Sequence, residues 1–414
     1  MGSLGLKALS NTSAREILGI ACLSLFVDSV GYGVVVPILP TYVLSLGASD
    51  YDLALIFSSF AMVQLFTTIP FGLFSDKYGR KVFMVTGMLL LGASFMYFPF
   101  AHSVLALIAC RVVQGLAASA TWSSALALVA DAYPGGDKGE KLGIANGAVG
   151  LGNIAGPLVG GVLGDINFGL PFLVIGSVAF FACFYMLLRL KLERGEALRA
   201  PVAFREMLRG AIRVRNVLLV VFINLLIAVF FGFIEPLLPP YLSGRFNLSG
   251  TQIGLFFGGA FLTYVVSQPF VGRLSDRYGR KIFIVCGLIA LSITNVMIPY
   301  LSDVLTLFAL LVVMGVFWSL AYTPLMPLAV DSLRSKNRET FGTMSGFFNI
   351  AWNSGYSVGP LIGALVTSYF GFESIFWFFS GLLVVMIIVA QTLIAEKRVF
   401  VSKTSIKNFM NNNE

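Results

Sequence analysis

Two ionisable side chains interrupt long apolar stretches of this sequence, and they are the first candidates for chemistry. Asp28 lies in FVDSVGYGVVVPILP and Arg111 lies in CRVVQG. If those stretches cross a bilayer, an ionisable group near the midplane costs at least ~2.5–3.5 kcal/mol and is a functional candidate by default. Counting about 1.5 Å per residue, Asp28 is ~16–18 Å from one membrane face and Arg111 ~12–13 Å from the other. Across ~30 Å of hydrocarbon the two depths nearly agree, so the side chains could pair or share one cavity.

The surrounding stretches are predicted to be membrane spans. The chain has 414 residues, of which 57% are hydrophobic and 12% charged, whereas a soluble chain carries about 25% charged residues. Apolar runs of about 20 residues follow one another, and each can cross ~30 Å of hydrocarbon as a helix. An outer-membrane barrel would instead show alternating segments of about ten residues. We therefore predict an all-α membrane protein with twelve transmembrane helices, at 17–46, 51–75, 82–101, 103–132, 140–165, 169–190, 215–243, 249–275, 282–301, 303–332, 340–369 and 372–395.

The net charge of +8 is explained by membrane topology. With both termini in the cytoplasm, the inside loops and termini collect nearly all of the 28 Lys and Arg, since only Arg245 falls in an outer loop and only Arg111 lies deep in a span. This bias is the positive-inside rule. It predicts a multi-pass protein of the cell (plasma) membrane with both termini cytoplasmic. The basic surface then has membrane lipid, and not nucleic acid, as its partner.

One seven-residue motif occurs twice, as SDKYGRK at 75–81 and SDRYGRK at 275–281. Other residues repeat at the same spacing of 200, including Gly115 with Gly315 and Asp131 with Asp331. Six spans, a linker and six more spans are typical of a transporter whose parallel repeats rock around a midplane cavity. The predicted parts are a cytoplasmic N-terminus at 1–16, a six-helix bundle at 17–190, a cytoplasmic linker at 191–214, a second six-helix bundle at 215–395 and a cytoplasmic tail at 396–414.

With these motifs the sequence closely resembles the major facilitator superfamily, from about residue 17 to residue 395. The loop signature of that family is G-x-x-x-D-[RK]-x-G-R-[KR], and it is present in both halves. The resemblance implies the major facilitator fold and transport of a small molecule. The two copies comprise Gly72, Asp76, Gly79, Arg80 and Lys81 in the first half, and Gly272, Asp276, Gly279, Arg280 and Lys281 in the second.

These loops are predicted to form a conformational latch. Asp131 and Asp331 each close the cytoplasmic end of a long span, where a carboxylate faces the negative end of the helix dipole and needs a cation. Arg80 or Arg280 lies in the neighbouring loop. The resemblance implies that the loop Asp also approaches the eleventh span from the first half, or the fifth span from the second, and so holds the cytoplasmic side shut. Charge that merely sets topology is the alternative interpretation.

The fifth span carries glycines at every fourth position, from Gly152 to Gly164. Such a strip lets another helix approach closely, and Pro157 inside the span bends the helix. Small-residue packing alone would explain most of this pattern. The resemblance adds an antiporter motif, which this sequence matches at Gly147, Gly156, Pro157, Gly160 and Gly161.

The resemblance also assigns roles to the two buried charges. Arg111, followed by Gln114, resembles the fourth-span motif whose Arg is linked to proton translocation, and Asp28 followed by G-x-x-x-P-x-x-P is similar to twelve-span drug:proton antiporters and vesicular amine carriers. The repeat partners of Arg111 and Gln114 are Leu311 and Met314, so this polar chemistry is confined to one half. We predict that Asp28 exchanges a proton for substrate. A static tie between Asp28 and Arg111 is the alternative.

Further polar and aromatic side chains inside the spans are candidates to line a substrate cavity. Glu235 aligns with Val36 and not with Asp28, which predicts a place nearer the outer mouth, either at the cavity rim or simply at the interface. The candidates are Tyr32, Gln64, Gln114, Asn224, Phe231, Glu235, Gln268, Asn349, Trp352 and Asn353.

We therefore predict a secondary active transporter that is a monomer and exports an amphiphilic or cationic small molecule in exchange for protons. Proton-coupled uptake of a sugar or other metabolite is the alternative, and a non-transporting sensor is a further one. No nucleophile–base pair, metal-ligand cluster or phosphate-binding G-x-x-x-x-G-K-[ST] loop occurs in the sequence. The prediction is accordingly neither an enzyme nor an ATP-driven pump, with no cofactor and no metal.

Overall fold

The computed structural model describes residues 13–135, 137–190, 214–334 and 341–394. In the first half the helices are α1 Ala14–Ser45, α2 Asp50–Tyr78, α3 Arg80–Tyr97, α4 Val104–Ala132, α5 Lys138–Ile166 and α6 Leu170–Arg189. In the second half they are α7 Arg215–Phe246, α8 Gly250–Tyr278, α9 Arg280–Met297, α10 Val304–Tyr322, α11 Leu325–Arg334, α12 Phe341–Phe370 and α13 Ser374–Leu393. Together α10 and α11 make up the tenth predicted span.

The prediction of an all-α membrane protein is confirmed. Within the described ranges, 11 segments are long and apolar enough to cross a membrane. The remaining long helix, α12, is 30 residues in length and carries Asn349 and Asn353 among small residues. Of the predicted non-membrane parts, 1–12, 191–213 and 395–414 lie outside the described residues.

The repeated sequence builds the same local structure twice. Ser49 and Ser249 each form a capping box at the start of the second helix of their half, with Asp52 and Gln252 respectively. At the other end of those helices the backbone φ is 100° at Gly79 and 102° at Gly279. Because side chains rarely adopt this conformation, the turn between the second and third helices favours glycine.

The lysine that ends each loop motif binds the end of a helix. The Lys81 Nζ donates to the carbonyl oxygens of Leu187, at 2.9 Å, and of Leu190, at the end of α6. The Lys281 Nζ donates to those of Gln391, at 2.6 Å, and Ile394, at 3.0 Å, at the end of α13. A cation at a helix C-terminus is stabilised by the helix dipole. These described contacts join helices of the same half, where Lys81 and Lys281 act as C-terminal caps.

The glycine strip of the fifth span packs α5 against α1. A Cβ atom added to Gly156 would lie 2.7 Å from the Cα of Gly33, and one added to Gly160 would lie 2.8 Å from the Cα of Val34. The second half repeats this arrangement, since Gly355 of α12 lies against the backbone of α7. The two helices can therefore approach this closely only because glycine has no side chain at these positions.

The two halves touch along two helix pairs, α5 with α8 and α2 with α12, and the first pair is described here. We call the end of the bundle that carries Gly79 and Gly279 the repeat end, and the other end the opposite end. From the opposite end inward, Gly161 lies against Gly250, and a Cβ atom added to Gly150 would lie 3.2 Å from the side chain of Val265. Further along the same face of α5, no described atom lies within 4 Å of a Cβ built at 147 or 143. Along this face the described residues of α5 therefore contact α8 at the opposite end and midway, but not at 147 or 143 toward the repeat end.

The packing of α5 on α1 gives a testable expectation. Replacing Gly156 by Ala forces overpacking against Gly33 and should destabilise the protein by roughly 1–3 kcal/mol. The matched control, Gly147→Ala, adds a methyl group where no described atom lies within 4 Å, and it should leave stability unchanged or raise it slightly, because Ala favours helix. Thermal unfolding of the detergent-solubilised variants measures both. Equal melting temperatures for the two variants would contradict the close packing.

Candidate functional site

Three charged side chains are buried among the described residues. Asp28 is 6% exposed, Arg111 1% and Glu235 4%. They belong to α1, α4 and α7 respectively, so the first two come from one half and the third from the other. Buried charge is costly unless it is paired or neutralised, so the contacts of these three groups define the candidate site.

The hydrogen-bond partner of Asp28 is the indole of Trp122 and not the guanidinium of Arg111. Its carboxylate accepts a hydrogen bond from the Trp122 Nε1 of α4, at 2.7 Å. Arg111 lies eleven residues before Trp122, which is about 16 Å along the helix. Asp28 and Arg111 therefore do not form the direct ion pair that was the alternative interpretation. The depths of Asp28 and Arg111 were estimated by counting residues from the ends of their spans. That count is unreliable because α1 has 32 residues and α4 has 29, so both helices are longer than the hydrocarbon layer is thick.

Arg111 lies among aromatic rings. Its NH1 donates to the Oε1 of Gln114 at 2.9 Å, and its guanidinium carbon is 4.5 Å from the ring centroid of Phe60, 5.3 Å from that of Phe57 and 5.9 Å from that of Tyr32. Cation–π attraction of this kind stabilises a desolvated Arg. The Arg111 Nε and NH2 and the Gln114 Nε2 have no described hydrogen-bond partner. Buried donors of this sort normally bind water or a ligand.

Glu235 joins the two halves. Its carboxylate accepts hydrogen bonds from the hydroxyl groups of Tyr32, on α1, and Tyr356, on α12. The two hydroxyls also contact each other. We call Tyr32, Glu235 and Tyr356 the bridging cluster, because it links the first half to the second. Every pair within this cluster is in contact, so movement of one half relative to the other must break it.

Glu235 lies nearer the outer end of its helix than Asp28 does, but it is buried between the halves and is not at the membrane interface. Glu235 lies 11 residues before the end of the 32-residue α7, which is about 16 Å along the helix axis. The alignment with Val36 gave only a position along the helix, whereas the direction of the side chain is set by packing against α1 and α12. The carboxylate is consequently buried between the halves.

Sequence reasoning missed Tyr356 and Trp122, although helical spacing could have found both. Tyr356 follows Trp352 by four residues and Asn349 by seven, so the three share one face of α12. Trp122 follows Arg111 by eleven residues, or three turns of α4. Trp122 has an N–H group and Tyr356 an O–H group, and either can donate a hydrogen bond to a buried carboxylate.

The remaining predicted cavity residues fall into two groups. Asn224 donates from Nδ2 to the carbonyl oxygen of Phe348 at 2.9 Å, and Asn349 is exposed and donates to its own helix. These contacts are structural. The second group comprises Phe231 and Trp352, which pack against the buried cluster that contains Tyr356, together with Asn353, which is buried, and Gln64 and Gln268, which are half-buried.

An apolar cavity of about 70 Å³ adjoins Glu235 in the second half. Its volume is about half that of the ~150 Å³ cavity that takes up benzene in a known case. An aromatic group could therefore enter only if the lining side chains moved. Besides Glu235, its lining includes Phe230, Phe231, Phe257, Phe261, Tyr264 and Trp318.

At the opposite end, a carboxylate of one half caps a helix of the other. The Asp165 side chain, at the end of α5, accepts hydrogen bonds from the backbone N–H groups of Gly250, at 2.7 Å, and Thr251, at 2.8 Å. These N–H groups open α8, and a carboxylate at a helix N-terminus is favoured by both hydrogen bonding and the dipole. The cap therefore links the two halves at the opposite end.

At the repeat end, the ion pairs described for the two loops lie within one half. The Arg80 Nε is 3.3 Å from the Asp131 carboxylate, and Arg80 also pairs with Asp76. In the second half Arg280 pairs with Asp276 at 2.9 Å, and with Asp331. The predicted contact with the eleventh span would involve the first residues of α12, whose side chains lie outside the described part of the chain.

Comparison with known proteins identifies the family. The family model described as Major Facilitator Superfamily matches residues 21–235 and 220–408. The chain is similar to the human MFS-type transporter SLC18B1, at 28% identity over 365 residues covering 83% of this chain and 78% of that protein. It is also similar to the quinolone resistance protein NorA of Staphylococcus aureus, at 23% identity over 344 residues covering 83% and 88%.

A solved structure supports the fold. The chain matches a bacterial homologue of the human lysosomal transporter Spinster, in an inward-facing and unoccupied conformation, with a TM-score of 0.81 and 14% identity over 93% of this chain and 98% of that one. This likeness bears on the fold alone. Together with the family model, which covers nearly all of the described residues, it leads to one conclusion: the chain belongs to the major facilitator superfamily and is a membrane transporter, not an enzyme.

Proposed function

We propose that the protein is a proton-coupled antiporter that exports amphiphilic or cationic small molecules by alternating access, with Asp28 as its proton site. The observation that carries this proposal is the surroundings of Asp28, which is buried and accepts a hydrogen bond from a neutral indole. A carboxylate in such surroundings is stable when it binds a proton or another cation. A site that must hold one of the two is suited to exchanging them.

Charge distribution supports a cytoplasmic location for the repeat end. Both loop motifs, with Lys77, Arg80 and Lys81 and their counterparts, lie there, as do the end of α6 and the end of α13. Basic residues favour the cytoplasmic side. The hollow between the halves then opens to the cytoplasm, and both termini lie on that side of the plasma membrane.

Two sets of contacts would alternate during transport. The Asp165 cap on α8 closes the opposite end, while the loop motifs at the repeat end would close the hollow once the halves rock together. Rearrangement of the bridging cluster of Tyr32, Glu235 and Tyr356 would accompany each change. One chain supplies both halves, so a monomer is sufficient for the cycle, with lipid surrounding it.

The proposed cargo follows from the chemistry of the site. Two buried carboxylates attract a cation, and the aromatic lining around Phe231 and Trp318 suits an apolar body. The family resemblance to a protein named for quinolone resistance points the same way. A sugar would need more hydrogen-bonding side chains than the described lining of this cavity offers.

Transport driven by a pH gradient tests the proposal. Purified protein in proteoliposomes should accumulate ethidium or rhodamine 6G when the compartment that receives the cation is the more acidic one, and should leave glucose and lactose unmoved. Asp28→Asn removes the proton site and should reduce gradient-driven accumulation at least tenfold. Asp50→Asn, at the exposed first turn of α2, is the matched control and should behave like wild type. Co-movement of a sugar with protons would favour metabolite uptake instead.

The equilibrium between conformations gives a second test. Asp165→Ala removes an N-terminal cap between halves, a change that costs roughly 0.5–2 kcal/mol, so it should raise the ratio of opposite-end-open to closed molecules about 2–30-fold. Spin labels on Ser45→Cys and Ser243→Cys, which line the opposite end, report this ratio as a distance distribution.

Asp303→Ala is the control for that experiment. Asp303 caps α10 within the second half, accepting from the Thr306 N–H at 2.7 Å, so its loss removes the same kind of bond without touching the other half. Its distance distribution should match wild type. A shift of equal size in both variants would show that general destabilisation, and not release of the halves, causes the change.

A further inference from the structure

We propose that the opposite end of the bundle carries a second ligand site, separate from the transport site, which binds an amphiphilic primary amine in its ammonium form. A cavity of about 380 Å³ lies at this end, more than twice the ~150 Å³ that takes up benzene in a known case. Thr41 lines this cavity and lies 13 residues beyond Asp28 on α1, which is about 20 Å along the helix. The cavity is therefore distinct from the buried carboxylates.

Both halves form the walls of this cavity, which we call the end groove. The first half contributes Thr41 and Ser45 of α1 and Asp165 of α5, and the second half contributes Ser243 of α7 and Gly250 of α8. Because its walls come from two bodies, the groove keeps this shape only while α5 and α8 stay in contact. A ligand that fills it contacts both halves.

The polar side chains of the end groove offer hydrogen-bond acceptors. The Thr41 hydroxyl donates to the carbonyl oxygen of Ile38 at 2.9 Å. The Ser45 hydroxyl donates to that of Tyr42 at 2.7 Å, so both hydroxyls have lone pairs left for a ligand. Each Asp165 oxygen accepts one backbone N–H of α8 and keeps a further lone pair. A primary ammonium group, with one positive charge and three N–H donors, complements this lining.

The charge of the surrounding surface also favours a cation. The described connections and helix ends at the opposite end contain one Lys or Arg, namely Arg245, and five acidic residues: Asp50, Asp52, Asp165, Asp303 and Glu373. Arg245 lies 3.1 Å from the Glu373 carboxylate, and none of the ion pairs described for this chain involves the other four acids. An excess of negative charge attracts cations and repels carboxylates and phosphates.

The rest of the lining suits an apolar group. Pro37, Ile38, Phe168 and Ile253 also line the groove. The ring of Phe168 stacks on that of Tyr42 with 3.7 Å between the centroids. An aryl or alkyl group gains free energy by leaving water for such a surface. A phenyl ring joined by two methylene groups to a primary ammonium combines both features, so 2-phenylethylammonium is the probe that matches the site.

Calorimetric binding of this probe to the purified protein in detergent tests the site. The Asp28→Asn protein is used, because it lacks the carboxylate at which the transported cation would bind. It should bind 2-phenylethylammonium saturably, and should bind the N,N,N-trimethyl analogue, which has the charge but no N–H donor, roughly tenfold or more weakly. Equal affinity for the two cations would overturn the assignment of a primary amine. No step of this assay uses transport, so its failure leaves the proposed function untouched.

Asp165→Asn, added to the same protein, removes the charge of the groove and should weaken binding roughly tenfold or more. Asp303→Asn is the matched control, because Asp303 caps α10 at the same end of the bundle but does not line the groove. It should leave binding unchanged. Equal weakening by both variants would show a general effect of surface charge and would overturn the site.

Thr41→Val tests the groove without disturbing the Asp165 cap. It removes one acceptor at nearly constant volume and should weaken binding roughly threefold or more. The control is Thr367→Val, since the Thr367 hydroxyl also donates to its own helix, to the Gly363 carbonyl oxygen at 2.7 Å, and Thr367 does not line the groove. It should bind the probe as before. Unchanged binding in Thr41→Val would overturn the proposed placement of the amine, even if Asp165→Asn does not fold.

Discussion

The cost of burying charge in an apolar interior is the constraint on which this structure depends. Asp28, Arg111 and Glu235 are each held by groups that are neutral: an indole, three aromatic rings with an amide, and two phenols. None of the ion pairs described for this chain involves any of the three. Neutral partners orient these groups without cancelling their charge, so the buried carboxylates keep an affinity for a small positive ion.

The duplicated scaffold and the unduplicated chemistry have separate physical origins. Gly79 and Gly279 form the same turn, and Lys81 and Lys281 cap the same kind of helix end, because each half must fold by the same rules. The buried charges break this symmetry, since the repeat partner of Arg111 is Leu311. In the proposed transport cycle, rocking of two similar halves would therefore act on a site whose parts are unequal, as coupling of movement to chemistry requires.

Sequence patterns predicted the helices, the two halves and the burial of Asp28 and Arg111, since hydropathy and the rarity of intramembrane charge carry that information. They did not predict the partners. Whether Asp28 meets Arg111 or Trp122 depends on the tilt and rotation of α4, which are set by packing across the bundle. The same limit explains Glu235, whose position along α7 was read correctly but whose direction toward Tyr32 was not. Helices longer than the bilayer make depth a poor guide to contact.

In the proposed mechanism a proton and a cation compete for the buried carboxylate of Asp28. The most direct measurement of this competition is the number of protons released when ethidium binds to purified protein in weakly buffered detergent solution, followed with a pH-sensitive dye while binding is followed by fluorescence. Starting from the protonated protein, the account predicts close to one proton released per ethidium bound, falling toward zero in Asp28→Asn. Saturable binding of ethidium to the wild-type protein with no proton release would contradict it.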